Sequence, residues 1–414
     1  MGLPVDELSS AHRVLLLQGP MGNFFSQLAA WLESHGTECY KVNFNAGDWF
    51  FYHGRNVFNY HGRLDHFKHW LKKHLLDLNI EAVVCFGDCR FYHIEARQLT
   101  QELGLHFFVF EEGYIRPDYI TLERGGVNDY SGIKQKFLSL SDELPPPDKP
   151  LPVYPNYKLL VQSAFVYYLM WSLFFWLFPF YKHHRLISPL AEIFYWLRSL
   201  VRRAVNYQIE PHRFLDIIKK HDKRYFVVAL QVHNDSQVRV HSDYDDVKEF
   251  IVEVLTSFAS HAPQDKHLVI KHHPMDRGYR HYGALVKEHA LRLEIAERVH
   301  YVCDVHLPTL LKHSIALVTI NSTTGLQALF HDRPVKTMGR AIYDLPRLTY
   351  QGSLDQFWKN PGRVNRLAYR RFRYTLVHYS QLNGSYYGLS PWMVKPAAAF
   401  LSMELDQNAQ KAKS

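Results

Sequence analysis

Residues 13–20 read RVLLLQGP, a short apolar run that ends at a glycine–proline pair. The run is typical of a buried strand, and the pair predicts a turn directly after it. Residues 24–35 then follow a helical pattern. The chain therefore begins with a strand, a turn and a helix, which is the repeating unit of an α/β domain with a parallel sheet.

The same alternation recurs in both halves of the chain. Strands are predicted in the first half at residues 81–87 and 106–113, with a helix over residues 96–103 between them. In the second half the predicted elements are strands at 224–231, 267–274, 300–304 and 315–321, and helices over 245–257, 282–290 and 323–331. We predict the GT-B-like class of α/β fold, in which two Rossmann-type, doubly wound domains face a central cleft and hold ligand at the carboxyl ends of their strands.

Composition suggests where the domains end. Residues 141–155, SDELPPPDKPLPVYP, contain too much proline for a helix or a central strand. We predict four parts in chain order: an N-terminal Rossmann-like domain, a proline-rich linker with an aromatic and basic helical segment, a C-terminal Rossmann-like domain, and a C-terminal helix or tail. Their predicted bounds are residues 1–140, 141–210, 211–390 and 391–414.

The helical segment over residues 159–181 is rich in tyrosine, tryptophan and phenylalanine. Its length would suit a bilayer span, but a single span would put the two halves on opposite sides of the membrane. Aromatic residues prefer the headgroup level, and the basic groups Lys182 to Arg185, Arg198, Arg202 and Arg203 follow. We favour a membrane-docking segment over two buried bracing helices, with a helical hairpin or a true span as the remaining alternatives.

The chain has 414 residues and a formal net charge of +8. Its aromatic content of 15% excludes a disordered or collagen-like protein. The positive charge favours an anionic partner, such as nucleic acid, phospholipid headgroups or a negatively charged sugar nucleotide. Four cysteines are too few for a disulfide scaffold, and Cys85 and Cys89 are predicted to be ordinary core thiols. The N-terminus lacks the pattern of a signal peptide, so we expect a cytoplasmic protein.

Polar motifs follow the predicted strands of the first half. Glu111 and Glu112 stand at the end of one strand, before a glycine and Arg116, and adjacent acids there can supply a general acid or base. A solvated acidic loop is the alternative. Gln18 and Gly19 end the first strand, and Gly87-Asp88 end another, so these residues are predicted to line the same cleft.

Two further motifs end strands of the second half. Lys271-His272-His273-Pro274 offers a cation and imidazoles for a phosphate, and a metal site is the competing interpretation. Neighbouring histidines on a strand point in opposite directions, which disfavours the metal site. Asn321, Ser322 and Thr323 precede a helix and are suited to a phosphate or carboxylate, or to an ordinary helix cap.

The loop after the first strand of the second half contains Gln231 and Asp235, and Asp235 is a candidate nucleophile or orienting carboxylate, or a turn residue. The acidic cluster at residues 243–246 is predicted to start a helix rather than to bind a metal.

In content and order these motifs resemble the bacterial capsule polysaccharide synthesis family, in particular its KpsS/LipB group, which is related to the KpsC transferases. The resemblance extends over residues 13–344. Its most specific stretches are FEEGYIRPDYITLERGGVN at 110–128, LQVHNDSQ at 230–237, KHHPMDRG at 271–278 and NSTTGLQALFHDRPVKTMGRAIYDLP at 321–346.

The resemblance implies a retaining glycosyltransferase that takes β-Kdo, an eight-carbon acidic sugar, from CMP-Kdo. Glu112 matches the catalytic acid/base with Glu111 beside it, and Asp235 falls where related retaining Kdo transferases place a carboxylate nucleophile. The matched ligands of the CMP phosphate are His273, Ser322 and Thr323, with Lys271, Asn321 and Pro274 beside them. Gln18, Gly19, Arg116 and Gln231 are expected to line the cleft, and no metal or cofactor is expected.

This chain contains one set of these motifs. By the resemblance, that implies the KpsS-type activity, in which a phosphatidylglycerol-type lipid receives the first Kdo of a capsule linker. The N-terminal domain would then bind the acceptor and the C-terminal domain the nucleotide sugar. The expected location is the cytoplasmic face of the inner membrane, beside other capsule synthesis or export proteins and without nucleic acid. The alternatives are another donor such as CMP-sialic acid, a nucleotide-sugar epimerase, and a non-catalytic membrane adaptor.

Overall fold

The computed structural model describes residues 3–141, 143–154, 156–183 and 189–394. Within them the chain forms twelve strands, named in chain order β1 Arg13–Leu16, β2 Glu38–Asn43, β3 Asn56–Asn59, β4 Ala82–Phe86, β5 His106–Glu112, β6 Tyr119–Arg124, β7 Tyr225–Ala229, β8 His267–Lys271, β9 Val299–Val302, β10 Leu317–Thr319, β11 Val335–Thr337 and β12 Gln381–Asn383.

The described residues also form fifteen α-helices. In chain order these are α1 Pro4–Ser10, α2 Phe24–Ser34, α3 Ala46–Phe51, α4 Leu64–Asp77, α5 Phe91–Leu103, α6 Ile133–Ser139, α7 Tyr157–Leu173, α8 Pro189–His221, α9 Ser236–His241, α10 Val247–His261, α11 Gly283–Arg292, α12 Leu307–His313, α13 Thr324–Phe330, α14 Leu354–Lys359 and α15 Arg366–Tyr379.

The first sheet has seven strands in the order β12-β6-β5-β4-β1-β2-β3. Strands β1 to β5 are parallel, and β6 and β12 extend the sheet beyond β5 by antiparallel pairing. The five parallel strands have the order of a Rossmann sheet, whose direction of winding reverses between β1 and β4. The loops after those two strands therefore flank the position where such sheets bind ligands.

The second sheet repeats this plan with five parallel strands in the order β11-β10-β7-β8-β9. Its winding reverses between β7 and β10. The prediction of two doubly wound, Rossmann-type halves is confirmed. Most predicted strands and helices are found within a few residues of their expected bounds, and Asp246 caps the start of α10 as predicted.

Both faces of the first sheet are buried, which explains the continuous apolar run in β1. Val14 and Leu16 pack into one core, and Leu15 and Leu17 pack into another on the opposite face. A parallel sheet covered by helices on both sides needs such uninterrupted runs. Cys85 lies in the second of these cores, as predicted. Cys89 is only half-buried, and its thiol donates to Oδ1 of Asp88 at 3.3 Å.

The chain divides into two compact units whose borders differ from the predicted ones. Unit 1 comprises Met1–Gly132, Leu144–His184 and Tyr374–Ser414, and unit 2 comprises Ile133–Glu143 and Arg185–Arg373. The chain returns to unit 1 at Tyr374 because β12 pairs with β6 of the first sheet. The segment predicted over residues 141–210 does not form a separate part, because α7 belongs to unit 1 and α8 to unit 2.

The aromatic segment is shorter as a helix than its sequence suggests. Helix α7 ends at Leu173 and gives way to a 3-10 turn over Phe175–Leu177. Among the described residues, none of the helices combines the length and apolar character needed to cross a bilayer. The buried side of α7, with Ser163, Ala164 and Tyr167, packs on α3 within unit 1.

Helix α8 begins at Pro189 and extends to His221, beyond the predicted segment that ends at residue 210. Residues 184–188, which include part of the predicted basic cluster, and residues 395–414 of the predicted C-terminal helix or tail lie outside the described residues.

Candidate functional site

In unit 1 the loops after β1 and β4 meet at the point where the winding of the sheet reverses. Arg90, which follows β4, donates from Nη1 to the side-chain oxygen of Gln18 at 2.8 Å and to the carbonyl oxygen of Gly19 at 3.4 Å. Gln18 in turn donates to Asp48 at 3.1 Å and to Tyr167 at 2.9 Å. The buried Gln18 therefore links Arg90, Asp48 and Tyr167 by hydrogen bonds.

The acid pair lies at the end of β5, beside these loops. Oε1 of Glu111 accepts the backbone N–H of Glu112 at 2.9 Å, and a Cβ added at Gly87 would lie 3.6 Å from Oε2. Burial raises the pKa of Glu111 to about 7, and the negative charges of Glu112 and Asp88 add to the effect of burial. Glu111 can therefore exchange a proton near neutral pH.

Glu112 has a different environment. Its side chain is half exposed, and its Oε2 lies 3.9 Å from Nη2 of Arg116. The Nε of Arg116 donates to the carbonyl oxygen of Gly113 at 3.1 Å, which fixes the guanidinium beside the acid. The structure thus places both acids and Arg116 together at one strand end, with the two carboxylates in contrasting surroundings.

In unit 2 the equivalent reversal lies between β7 and β10, and here three predicted residues bond to one another. Nε2 of Gln231 donates to Asp235 at 3.2 Å and to the side-chain oxygen of Asn321 at 2.9 Å. The backbone N–H of Asn321 donates back to Gln231 at 3.1 Å. The loops after β7 and β10 are therefore joined at the ligand position of a doubly wound sheet.

Asp235 also caps helix α9, because its Oδ1 accepts the backbone N–H of Gln237 at 2.9 Å. Its side chain is half-buried. The sequence left a site carboxylate and a turn residue open for Asp235, and the structure makes it the cap of a short helix. A carboxylate held by both an N–H and an amide has a fixed orientation, which a nucleophile requires.

The strand-end residues after β8 point in different directions, as predicted. Lys271 is only 7% exposed, and its Nζ donates to the carbonyl oxygen of Cys303 at 2.6 Å. This position does not support the predicted direct contact between Lys271 and a phosphate. His272 is buried, and burial lowers its pKa to about 4. His273 is half-buried, and its Nδ1 accepts the N–H of Met275 at 3.2 Å, which leaves the ring proton on Nε2.

The loop after Pro274 is tied down by residues that the sequence analysis did not place there. Asp276 is fully buried and binds Nδ1 of His233 at 2.5 Å, linking this loop to the one after β7. Arg198 of α8 donates to the carbonyl oxygens of Gly278 and Tyr279, and Arg202 donates to that of Arg277 at 2.7 Å. Two arginines expected at a membrane therefore bond to the backbone of the protein instead.

The hydroxyl motif starts helix α13. The backbone N–H of Thr324 donates to Oγ of Ser322 at 3.2 Å, whereas Thr323 at the cap position makes no side-chain cap bond, so the alternative of an ordinary helix cap is not what forms here. The Tyr343 hydroxyl donates to the Ser322 carbonyl oxygen, and a Cβ at Gly325 would lie 2.1 Å from that hydroxyl. Only glycine fits there. Ser322 and Thr323 are half-buried, so ligand can reach them.

Sequence reasoning missed the buried polar residues behind Gln18. The hydroxyl of Tyr167 donates to Asp48 at 3.0 Å and accepts from Asn45 at 2.6 Å. Tyr167 belongs to α7, so the aromatic helix anchors one of its residues in the network. A tyrosine within an apolar run gives no sequence signal that distinguishes this role from membrane docking.

Comparison with known proteins agrees with the motifs. Residues 81–387 match the family model described as Capsule polysaccharide biosynthesis protein. The chain is 42% identical over 394 residues to the capsule polysaccharide export protein KpsS of Escherichia coli, covering 93% of this chain and 100% of KpsS. It is 41% identical over 395 residues to the capsule polysaccharide modification protein LipB of Neisseria meningitidis serogroup A, covering 92% of this chain and 93% of LipB.

Among solved structures, KpsC of Thermosulfurimonas dismutans, a β-Kdo 2,7 transferase, matches with 13% identity and a TM-score of 0.45, covering 87% of this chain and 89% of that chain. The family match spans most of the chain, and the two sequence relatives align over nearly all of it. The chain therefore belongs to the capsule polysaccharide biosynthesis family.

Proposed function

We propose that this protein is a retaining glycosyltransferase that transfers β-Kdo from CMP-Kdo to a phosphatidylglycerol-type lipid, the first step of a capsule linker. The observation that carries the proposal is the network of Gln231, Asp235 and Asn321 where the second sheet reverses. A fixed carboxylate at that position, in a member of a capsule biosynthesis family, is what transfer of a sugar through a covalent intermediate needs.

We propose that unit 2 binds the CMP part of the donor. The bond between the anomeric carbon and a phosphate oxygen breaks, and its electron pair leaves with CMP, so the phosphate gains negative charge. Nε2–H of His273 and the hydroxyls of Ser322 and Thr323 would donate to that phosphate, with Asn321 and Pro274 shaping their loops. Lys271 would contribute through its charge, because its ammonium already binds the Cys303 carbonyl.

Asp235 would be the nucleophile. Its carboxylate attacks the anomeric carbon as CMP leaves, and a covalent sugar–aspartate ester forms. The acceptor hydroxyl then attacks the same carbon and releases the carboxylate, so two inversions retain the configuration. The transfer step in this scheme uses no metal ion, and we expect no dependence on added Mg²⁺.

The acid pair of unit 1 would accept the proton of the acceptor hydroxyl. The resemblance assigns this role to Glu112, whereas a pKa of about 7 gives Glu111 the proton affinity that a general base needs near neutral pH. We propose that Glu111 takes the proton and that Glu112, beside Arg116, orients the acceptor. Single variants of the two acids distinguish the assignments.

The lipid acceptor would be reached at the cytoplasmic face of the inner membrane, through the exposed side of α7. Phe165, Leu169 and Leu173 repeat every four residues and form one stripe, opposite the buried Tyr167. Phe175, Trp176 and Phe180 continue this exposed apolar surface. Such aromatic-rich surfaces lie in the headgroup region of bilayers, which supports peripheral binding to lipid.

Incubation of the purified protein with CMP-Kdo and a fluorescent phosphatidylglycerol analogue, followed by mass spectrometry, tests the proposal. We expect the lipid to gain the mass of one Kdo with wild-type protein and with Asp246→Asn, which alters a helix cap elsewhere. We expect no gain with Asp235→Asn. Product from CMP-sialic acid instead would identify another donor, and no product with either donor would favour a membrane adaptor of capsule assembly.

A further inference from the structure

Three histidines from separate elements of unit 2 come together away from the proposed site. His221 is the last residue of α8, His267 begins β8, and His300 lies in β9. One nitrogen from each ring can be chosen such that all three lie within 4.8 Å of one another. All three side chains are half-buried, so an ion in solution can reach them.

We propose that His221, His267 and His300 form a zinc site at the amino end of the second sheet. Tetrahedral Zn²⁺ with nitrogen ligands at about 2.0–2.1 Å places those nitrogens about 3.3 Å apart. Nε2 of His300 lies 3.3 Å from Nδ1 of His267, which matches that edge. Three imidazoles with a water in the fourth position complete a coordination that zinc adopts in proteins.

His221 supplies the third ligand by a small rearrangement. Its ring lies tilted against that of His267, with centroids 3.6 Å apart and planes inclined by 34°. Rotation of the His221 ring about its χ2 angle would bring a nitrogen towards the other two, since that torsion is soft.

The zinc would have a structural role, distinct from the proposed transfer reaction. His267 and Lys271 are the two ends of β8, separated by about 13 Å of extended chain. The ion would join the end of α8 to β8 and β9, three elements that are far apart in the sequence. We therefore expect zinc to raise the melting temperature of unit 2 without changing the rate of sugar transfer per folded molecule.

Titration of the metal-free protein with Co²⁺, followed by its visible absorption, tests the site, with competition by Zn²⁺ giving the affinity for zinc. We expect one ion per chain with the intense bands of tetrahedral Co²⁺. His267→Ala and His300→Ala should each weaken binding by at least about 100-fold. The control is the double variant His66→Ala/His69→Ala on α4, which removes two exposed histidines of unit 1 and should bind as wild type does.

His300→Gln and His267→Gln preserve side-chain volume and keep the test informative if the alanine variants do not fold. Zinc should raise the melting temperature of the wild type and of the His66/His69 double variant, but not of the glutamine variants. Sub-stoichiometric binding, octahedral Co²⁺ bands, or equal affinity in wild type and in the His267 and His300 variants would overturn the proposal and leave three imidazoles in ring contact.

Discussion

Nε of Arg198 donates to the carbonyl oxygen of Gly278 at 2.5 Å, which fastens helix α8 to the loop that follows His273. The approach is so close that a Cβ at Gly278 would lie 2.3 Å from the carbonyl oxygen of Tyr195. Arg202 binds the same loop one helical turn further along. Because two guanidinium groups of α8 bind the backbone of this loop, α8 supports the proposed phosphate site.

Loss of either support should weaken donor binding. We expect Arg198→Ala to raise the KM for CMP-Kdo by about 10-fold with a smaller change in kcat, because the loop loses two charge-assisted hydrogen bonds. Steady-state kinetics measure both constants. Arg203→Ala removes an exposed arginine of the same helix and should leave KM unchanged. Equal effects of the two variants would mean that overall charge matters rather than the loop.

Asp235→Asn should separate catalysis from helix capping. Asparagine caps a helix as well as aspartate does, so the melting temperature should change by no more than a degree or two. Loss of the nucleophile should lower product formation by about 1,000-fold or more. Asp246→Asn, at the cap of α10, is the matched control and should remain active. Full activity of Asp235→Asn would remove the nucleophile assignment.

The pH dependence of transfer should report Glu111. A base with a pKa of about 7 is protonated at lower pH, so kcat/KM should fall as the pH decreases below 7. Glu111→Gln should lower the activity by about 100-fold or more, and its kcat/KM should no longer fall as the pH decreases below 7. Glu112→Gln is the comparison. If it abolishes the low-pH limb and Glu111→Gln does not, the role belongs to Glu112 as the resemblance implies.

The buried Glu123 should make unit 1 less stable at high pH. Burial raises its folded-state pKa to about 8, so its contribution is fully present below the unfolded value of about 4.5 and is lost as pH rises towards 8. Between pH 5 and 8 the free energy of unfolding of Glu123→Gln should gain about 1 to 3 kcal/mol relative to wild type. Denaturation with urea at several pH values measures this difference.

A suitable control for that experiment is Glu102→Gln, which removes an exposed partner of Lys68. Exposed ion pairs contribute about 0 to 1 kcal/mol, so its curve should follow that of the wild type. Parallel curves for Glu123→Gln and wild type would show that Glu123 is ionised in the folded protein.

The exposed face of α7 should bind lipid. We expect Phe165→Ser/Leu169→Ser to reduce co-sedimentation with vesicles of anionic phosphatidylglycerol by about 10-fold, since each change removes apolar area from the proposed contact. Leu291→Ser, which alters an exposed leucine of α11, should bind as wild type does. Equal binding by all three proteins would exclude α7 as the docking surface.

Much of the site was accessible from the sequence because parallel strands bury both faces and end at one edge. Continuous apolar runs such as RVLLLQ located the strands, and the polar residues that directly follow them had to lie at the ligand edge. Gln231, Asp235 and Asn321 were predicted in this way, and the structure joins them by hydrogen bonds.

Other features needed the tertiary structure, because they depend on which way a side chain turns or on elements distant in the chain. Lys271 turns inward to Cys303, and Arg198 binds a loop rather than headgroups. The sequence by itself determined two α/β sheets and the strand ends that carry polar groups, since these follow from local periodicity. Only tertiary packing decided that β12 completes the first sheet and that His221, His267 and His300 meet, because contacts between distant segments leave no periodic signal.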